Sequence, residues 1–311
     1  MKIVQIGTGG WGKNHSRVLS EFGILSAICD TNSKLADELG KKYTVNSYDS
    51  LENLLEKEEF DAALICTPTS THTEIASRLI ENKKHVFVEK PLTYLSEDGQ
   101  KLIETAKKNN IILTCGYIER FNPAVATVKD FLKSKKYGDL IRLEFYREHR
   151  MPQHIKDVGI IYDTSVHDID TALWLFDEVP DVVFAIAGSI NHEHEDFATI
   201  MLGFKDNKNA TISSNWITPT RVRNFNAVCT DARIFSNFIT QEIRIETNNG
   251  TENPKNEKTE PLSLEIRNFI DAIQGKNDLI VKPEQAVNVT KIAEAALLSS
   301  QKGTPIYLDL R

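Results

Sequence analysis

Lys2-Ile3-Val4-Gln5-Ile6-Gly7-Thr8-Gly9-Gly10-Trp11-Gly12 is the stretch whose reading decides the fold. An apolar strand runs directly into a GxGxxG turn, and residues 12–21 continue as an amphipathic helix. Glycines at 7, 9, 10 and 12 let backbone N–H groups approach a pyrophosphate, and the helix N-terminus supplies a favourable field for the anion. Trp11 lies within the same turn. Asp30 ends the second apolar run, 18 residues after Gly12. A carboxylate there accepts hydrogen bonds from an adenosine ribose and repels a 2′-phosphate. The following Thr31-Asn32-Ser33 contains no arginine, although Lys34 is close, so NAD rather than NADP is expected. A tight glycine turn with a surface aspartate is the bland alternative.

Working outward, short apolar runs at 2–7, 23–30, 43–48, 60–66, 85–90 and 111–117 alternate with amphipathic segments at 12–21, 33–40, 50–57, 71–82 and 96–109. Such alternation calls for a doubly wound parallel sheet with helices on both faces, whose ligands sit at the carboxyl ends of the strands. Beyond residue 120 the rhythm changes. A helix is expected at 122–135, a strand at 140–148, an irregular stretch at 149–158 and a helix at 160–176. Strand-like runs then continue to 247 without intervening helices, which indicates an antiparallel sheet. A polar loop at 248–261, helices at 262–274 and 283–301, and a short strand at 305–309 complete the chain.

A length of 311 residues fits two domains of ~100–200 residues each. With 37 basic against 44 acidic side chains, the net charge of −7 argues against a nucleic-acid partner. Cys29, Cys66, Cys115 and Cys229 are scattered without a CxxC pair, and three lie in apolar runs where a reduced, buried thiol is expected. Asn191-His192-Glu193-His194-Glu195-Asp196 superficially resembles a metal cluster, but it alternates faces if extended and has no partner cluster, so no metal is expected. The N-terminus lacks the charged-then-apolar pattern of a signal peptide, and no run approaches the ~18 apolar residues of a membrane span. A cytoplasmic protein with no membrane partner is the expectation.

Chemistry is sought just after the fourth and fifth strands. Thr67, Pro68, Thr69 and His72 follow the fourth, and Glu89-Lys90-Pro91 the fifth. All except Pro91 are expected to line the cofactor, with His72 read as a contact rather than a catalyst. A lysine at a strand end is commonly a solvated charge. A hydride-transfer site, however, wants a cation that orients a hydroxyl and stabilises charge developing on its oxygen. Asp163 and His167 are four residues apart, on one face of a helix. Histidine suits proton removal near neutrality, and a carboxylate on the same face orients it. The spacing equally describes a buried, hydrogen-bonded histidine flanked by first-turn acids.

The glycine turn, Thr67-Pro68 with His72, Glu89-Lys90-Pro91 and Asp163-x-x-x-His167 together resemble the glucose–fructose oxidoreductase/inositol dehydrogenase/rhizopine catabolism (Gfo/Idh/MocA) family. The likeness covers nearly the whole chain, including Ala293-Glu294-Ala295-Ala296, Ser299-Ser300 and Gly303-Thr304-Pro305. It implies an α/β protein: a Rossmann domain over 1–118, then an α/β domain over 119–311 with an open, mainly antiparallel sheet. The last helix is allowed to pack back on the first domain. It implies Lys90, Asp163 and His167 at the active centre, a cis peptide at Lys90–Pro91, and a homodimer or homotetramer built through the open sheet. One departure is Thr164-Ser165-Val166, where many members carry glycine.

Within the family, residues 116–123 and 215–223, with Asp157-Val158-Gly159, look like those of UDP-N-acetylglucosamine 3-dehydrogenases. That likeness implies oxidation of a sugar 3-hydroxyl with NAD. Tyr117, Arg120, Asn122, Arg150, Trp216, Arg221 and Arg223 are then substrate candidates, together with Arg147. Arginine suits a diphosphate because it offers charged, bidentate donors. Each arginine also fits a surface salt bridge, and Tyr117 and Trp216 fit core packing as well as stacking on a base or sugar. A dehydrogenase of a free polyol or monosaccharide such as inositol is the alternative. A non-catalytic NAD-binding sensor is a third reading, opposed by the intact Lys90, Asp163 and His167. Either His167 or a lysine of lowered pKa at position 90 satisfies the need for a base.

Overall fold

The computed structural model describes residues 1–152 and 155–310. The chain divides into two units, residues 1–116 with 262–287 and residues 117–261 with 288–311.

The first unit alternates β1 (Ile3–Ile6), α1 (Gly12–Glu21), β2 (Leu25–Cys29), α2 (Ser33–Tyr43), β3 (Asn46–Tyr48), α3 (Leu51–Lys57), β4 (Ala62–Ile65), α4 (His72–Glu81), β5 (His85–Glu89), α5 (Ser96–Asn109) and β6 (Leu113–Gly116). The six strands are parallel in the order β3-β2-β1-β4-β5-β6. This is the doubly wound order, and its direction reverses between β1 and β4, where the carboxyl ends leave a crevice. Both central strands are wholly buried, which is why they read as unbroken apolar runs rather than alternating ones. The third strand is shorter than its apolar run. Tyr43 closes α2, and Thr44 takes a left-handed conformation (φ 58°) to cap the helix on the carbonyls of Gly40 and Lys41. Capping a helix end here outweighs the β propensity of Tyr-Thr-Val.

The second unit begins with a 3₁₀ turn (Ile118–Phe121) and α6 (Pro123–Lys133), then β7 (Leu140–Glu148). A π-helical turn (Ile161–Ser165) leads into α7 (Val166–Phe176). There follow β8 (Val182–Gly188), β9 (Phe197–Gly203), β10 (Asn209–Asn215), β11 (Val222–Cys229), β12 (Ala232–Asn237), β13 (Ile243–Thr247), β14 (Gly250–Glu252), α8 (Pro261–Ile273), α9 (Pro283–Lys302) and β15 (Ile306–Tyr307). The sheet order is β14-β13-β12-β11-β7-β10-β9-β8-β15. Every pairing is antiparallel except that of β7 with β10. Period-2 patterning gives the sheet one apolar face, where Phe145 and Phe225 stack at 5.5 Å above Leu143, Ile200 and Ile212. Its other face carries Ile186 (61 % exposed), Met201 (51 %) and Tyr146 (40 %).

The units are not the two continuous stretches 1–118 and 119–311. Residues 262–287 belong to the first, because α8 covers what the early helices and strands leave apolar. Phe269 packs edge-on against Phe87 at 5.8 Å, Arg267 lies 4.1 Å over the Phe22 ring, and Thr114 donates to the Val281 carbonyl at 2.8 Å. The other division falls within α9. Among the described residues, no helix is long and apolar enough to cross a membrane.

A buried charge layer joins the 3₁₀ turn, α7 and β7. Arg120 closes both arms of its fork on Asp170, at 2.9 and 2.6 Å. Arg147 donates to Asp168 at 3.0 and 2.8 Å and to Glu119 at 3.0 Å, with its guanidinium 4.7 Å over Phe238. Burial opposes the charge on Arg147, but Asp168 and Glu119 hold its pKa above the ordinary value. Breaking such a pair strands the survivor in an apolar interior. Asp170→Ala is therefore expected to lower unfolding free energy by about 3–5 kcal/mol, seen as a reduced urea midpoint at unchanged m. The double replacement Arg120→Met/Asp170→Leu is expected to recover most of that loss.

Candidate active site

In the first unit the glycine turn is shaped by steric contact. Gly7 adopts φ +79°, and a Cβ there would stand 2.5 Å from the Cys66 carbonyl oxygen. A Cβ on Gly12 would stand 2.1 Å from the Gly7 oxygen. Gly9 and Gly10, by contrast, have no heavy atom within 4 Å of a would-be Cβ. The first pair serves close packing and the second leaves the backbone open to a ligand. No side chain caps the start of α1. The Asp30 carboxylate is held beside the loop by the Thr8 N–H and hydroxyl, both at 2.7 Å, and by the Asn32 N–H at 2.8 Å. Open amides at an uncapped helix start, with an anchored carboxylate at the end of β2, fit the diphosphate and ribose of a dinucleotide.

Behind that loop lies a cluster on which the glycine pattern is silent. Glu89, 8 % exposed, accepts from the Trp11 indole at 2.7 Å, pairs with His15 at 2.8 Å and accepts from the Lys90 N–H at 3.1 Å. Burial alone would push the Glu89 carboxyl up; His15 and Lys90 hold it below the usual carboxylate range. Glu89 thus ties the glycine loop to the end of β5 from within. Its oxygen, His15 Nε2 and Cys66 Sγ lie within 4.8 Å of one another. Burial and the Glu89 charge push the Cys66 thiol well above its ordinary value, so it packs as a neutral group.

His72 is also internal. Its ring lies 2.9 Å from the Pro91 carbonyl and 3.0 Å from the Thr67 carbonyl, bridging the Thr67-Pro68-Thr69 turn to the Lys90–Pro91 peptide, which is cis. The buried ring therefore shapes the Lys90 loop; it is not a surface contact. Only the rotation of α4 decides this, so the sequence carries no signal for it.

In the second unit, Asp163 sits in the π-helical turn and His167 opens α7. The expected continuous helix is widened by one residue in its first turn, a distortion found frequently at functional sites. Glu195 builds that turn. Its carboxylate accepts the Ile161 N–H at 3.1 Å, its carbonyl accepts the Ile160 N–H at 2.8 Å, and any Cβ at Gly159 would clash with it at 2.2 Å. Asp196 meanwhile accepts the backbone N–H groups of Ile190 and Asn191. These two acids of the 191–196 stretch thus cap backbone. Tyr117, 0 % exposed, meets His167 edge-on with ring centroids 6.5 Å apart.

Four of the substrate candidates lie in the interior of the second unit. Arg120 is spent on Asp170 in the interior. Asn122 donates to Glu119 and the Phe238 carbonyl and caps α6 through the Ala124 N–H. Trp216 is a core residue, 3 % exposed, whose indole donates to Thr164 at 3.2 Å. Tyr117 likewise packs inside, edge-on to His167. Arg150 and Arg221 are exposed and Arg223 is half-buried.

A model of the Gfo/Idh/MocA oxidoreductase family's NAD-binding Rossmann fold matches residues 1–117, and one of that family's C-terminal alpha/beta domain matches residues 150–308. The chain is 26 % identical over 283 residues to the UDP-N-acetylglucosamine 3-dehydrogenase of Acidithiobacillus ferrooxidans, covering 88 % of each protein. A solved structure of that enzyme superposes with a TM-score of 0.89 at 24 % identity, over 97 % of this chain and 98 % of that one. The myo-inositol 2-dehydrogenase of Thermotoga maritima is 32 % identical over 219 residues, 66 % of this chain and 65 % of that protein. An oxidoreductase from Agrobacterium radiobacter, solved with NAD+, L-tartaric acid and magnesium, superposes with a TM-score of 0.90 at 18 % identity, over 99 % and 98 %.

Because the folded-state pKa of Glu89 is depressed, its contribution to stability is present above the ordinary carboxylate range and is lost as pH falls through the lowered value. Glu89→Gln is expected to melt below wild type at neutral pH. That gap in Tm should close on acidification below about pH 4.

Proposed function

Since the chain belongs to the Gfo/Idh/MocA oxidoreductase family and takes NAD as its cofactor, we propose that it oxidises the 3-hydroxyl of a nucleotide sugar such as UDP-N-acetylglucosamine to the 3-keto sugar. The observation that carries this reading is the catalytic helix start: His167 edge-on to buried Tyr117, four residues after Asp163 on a π-helical turn built by Glu195. A 3-dehydrogenase of known name matching 88 % of both chains supports the choice of substrate. The inositol dehydrogenases among the relatives favour a second reading, oxidation of a free polyol.

The amides of residues 9–12 and the Asp30 carboxylate would hold NAD, which would supply the hydride acceptor. His167 takes the hydroxyl proton onto its imidazole, and Tyr117 holds the ring edge-on so that its orientation is set before substrate arrives. Lys90, at the end of β5, supplies a cation of the kind that steadies negative charge developing on a hydroxyl oxygen. Asp163 orients the base. His72 and Glu89 set the position of Lys90 by fixing the backbone on either side of it.

Replacing His167 by Asn is expected to lower kcat by about 10²–10⁴-fold with NAD affinity unchanged. A near-normal single-turnover rate across pH would move the base role to Lys90. A substrate panel of UDP-N-acetylglucosamine, its uronic acid, myo-inositol and free sugars, followed as NADH formation, tests the substrate. Turnover confined to unphosphorylated polyols would replace the first reading with the second.

The exposed apolar rows on the outer face of the second sheet also suit a partner of the same chain, as a homodimer or homotetramer. Phe184, Met201 and Thr211 are aligned across β8, β9 and β10, and Ile186 lies in the neighbouring row with Thr199 and Ser213. Sedimentation velocity is expected to show an oligomer that Ile186→Glu/Met201→Lys converts to monomer, because charges at the centre of an apolar interface are left without partners.

A further inference from the structure

Of the arginines in the second unit considered for substrate binding, Arg223 is distinguished by what does not reach it. Its β11 position is paired in register with Arg147 on β7, so both side chains lie on the helix-covered face of the sheet. Glu119 and Asp168 accept from Arg147, and neither accepts from Arg223. Among the described residues, Arg223 forms no ion pair, and its buried Nε has no hydrogen-bond partner. A guanidinium carries five N–H donors, and burying one without an acceptor costs far more than leaving it in water. Burial, Arg147 and Arg221 lower its pKa to about 10, so the protein itself does not satisfy this cation.

The surroundings identify what does. Arg221 stands exposed on the approach. His149 donates its Nδ1 proton to the Arg150 carbonyl at 2.8 Å, and burial with the fields of Arg223 and Arg221 keeps the ring below the usual histidine range, hence neutral. Arg147, the cross-strand partner of Arg223, donates to Asp168, the residue that follows His167, so Arg223 lies on the sheet face that meets the start of α7. Buried in a structural role, Arg223 would resemble Arg147 or Arg120, each closed on carboxylates.

We infer that Arg223, assisted by Arg221, is an oxyanion subsite that binds the anionic substituent of the substrate beside Asp163 and His167. The diphosphate of a nucleotide sugar is the source of that anion, a commitment that rests on the proposed function; a uronate carboxylate is the other source of the same chemistry. The site favours anions over neutral polyols by charge. A polyol hydroxyl accepts from Arg223 but leaves the buried cation without a counter-ion, whereas an oxyanion supplies the charge and paired acceptors together.

Calorimetric titration of the full-length, NAD-saturated protein with UDP, inorganic pyrophosphate and glucuronate tests this. UDP and pyrophosphate are expected to bind. Arg223→Gln should weaken both by more than about tenfold, Arg221→Gln by less, and NAD affinity should stay within about twofold. Arg223→Lys, which keeps the charge but not the fork, should restore part of the loss. Because the unliganded protein carries an uncompensated cation, Arg223→Gln should leave Tm equal to or above wild type. Arg223-dependent binding of glucuronate alone would keep the subsite and remove the nucleotide-sugar reading. UDP-N-acetylglucosamine turnover with an unchanged KM in Arg223→Gln would do the reverse. The inference is overturned if none of the three probes binds, if Arg223→Gln binds them as wild type does, or if its Tm falls in a way Arg223→Lys does not repair.

Discussion

The backbone of residue 12 must pass so close to the carbonyl of residue 7 that a Cβ would stand 2.1 Å from it. This contact starts α1 directly against the end of β1 and leaves the space around Gly9 and Gly10 open. The same turn brings the Trp11 indole to Glu89 and the Thr8 N–H to Asp30. Two strand ends, β2 and β5, are thereby tied to one loop by carboxylates of opposite duty. Asp30 stays at the surface with capacity to accept from a ribose, whereas Glu89 turns inward and is consumed. Lys90 inherits its place from the second tie, since its own N–H donates to Glu89 and the next carbonyl meets His72.

The second unit uses buried charge in a comparable way. Arg120 and Arg147 are locked on Asp170, Asp168 and Glu119, which joins the 3₁₀ turn, α7 and β7 beneath the helix start that carries Asp163 and His167. Such ion pairs add little net stability relative to apolar packing, but they demand one geometry. A helix held by them tolerates a π-helical first turn, which Glu195 completes from the loop before β9. Against this neutralised background Arg223 is conspicuous as a cation that forms no ion pair among the described residues and whose buried Nε has no acceptor.

Much of the fold was legible residue by residue. The boundaries of α1, α5 and β7 follow from periodicity alone, and the cis Lys90–Pro91 peptide from resemblance. The errors share a cause. Thr44 caps a helix where its neighbours favour a strand, the first turn of α7 is widened, and β10 runs parallel to β7 within an otherwise antiparallel sheet. Each depends on contacts with residues distant in sequence.

By itself, the sequence determined the doubly wound unit, the glycine loop, the carboxylate that ends β2 and the four-residue spacing of Asp163 and His167, because local spacing and steric need act within one turn or one strand end. Tertiary structure alone decided which charged side chains remain available. Arg120, Arg147 and Arg223 are the same residue type, and nothing in their flanking sequences distinguishes a paired guanidinium from an unpaired one. Whether a carboxylate stands opposite each is settled by strand register and helix rotation, which no local pattern encodes.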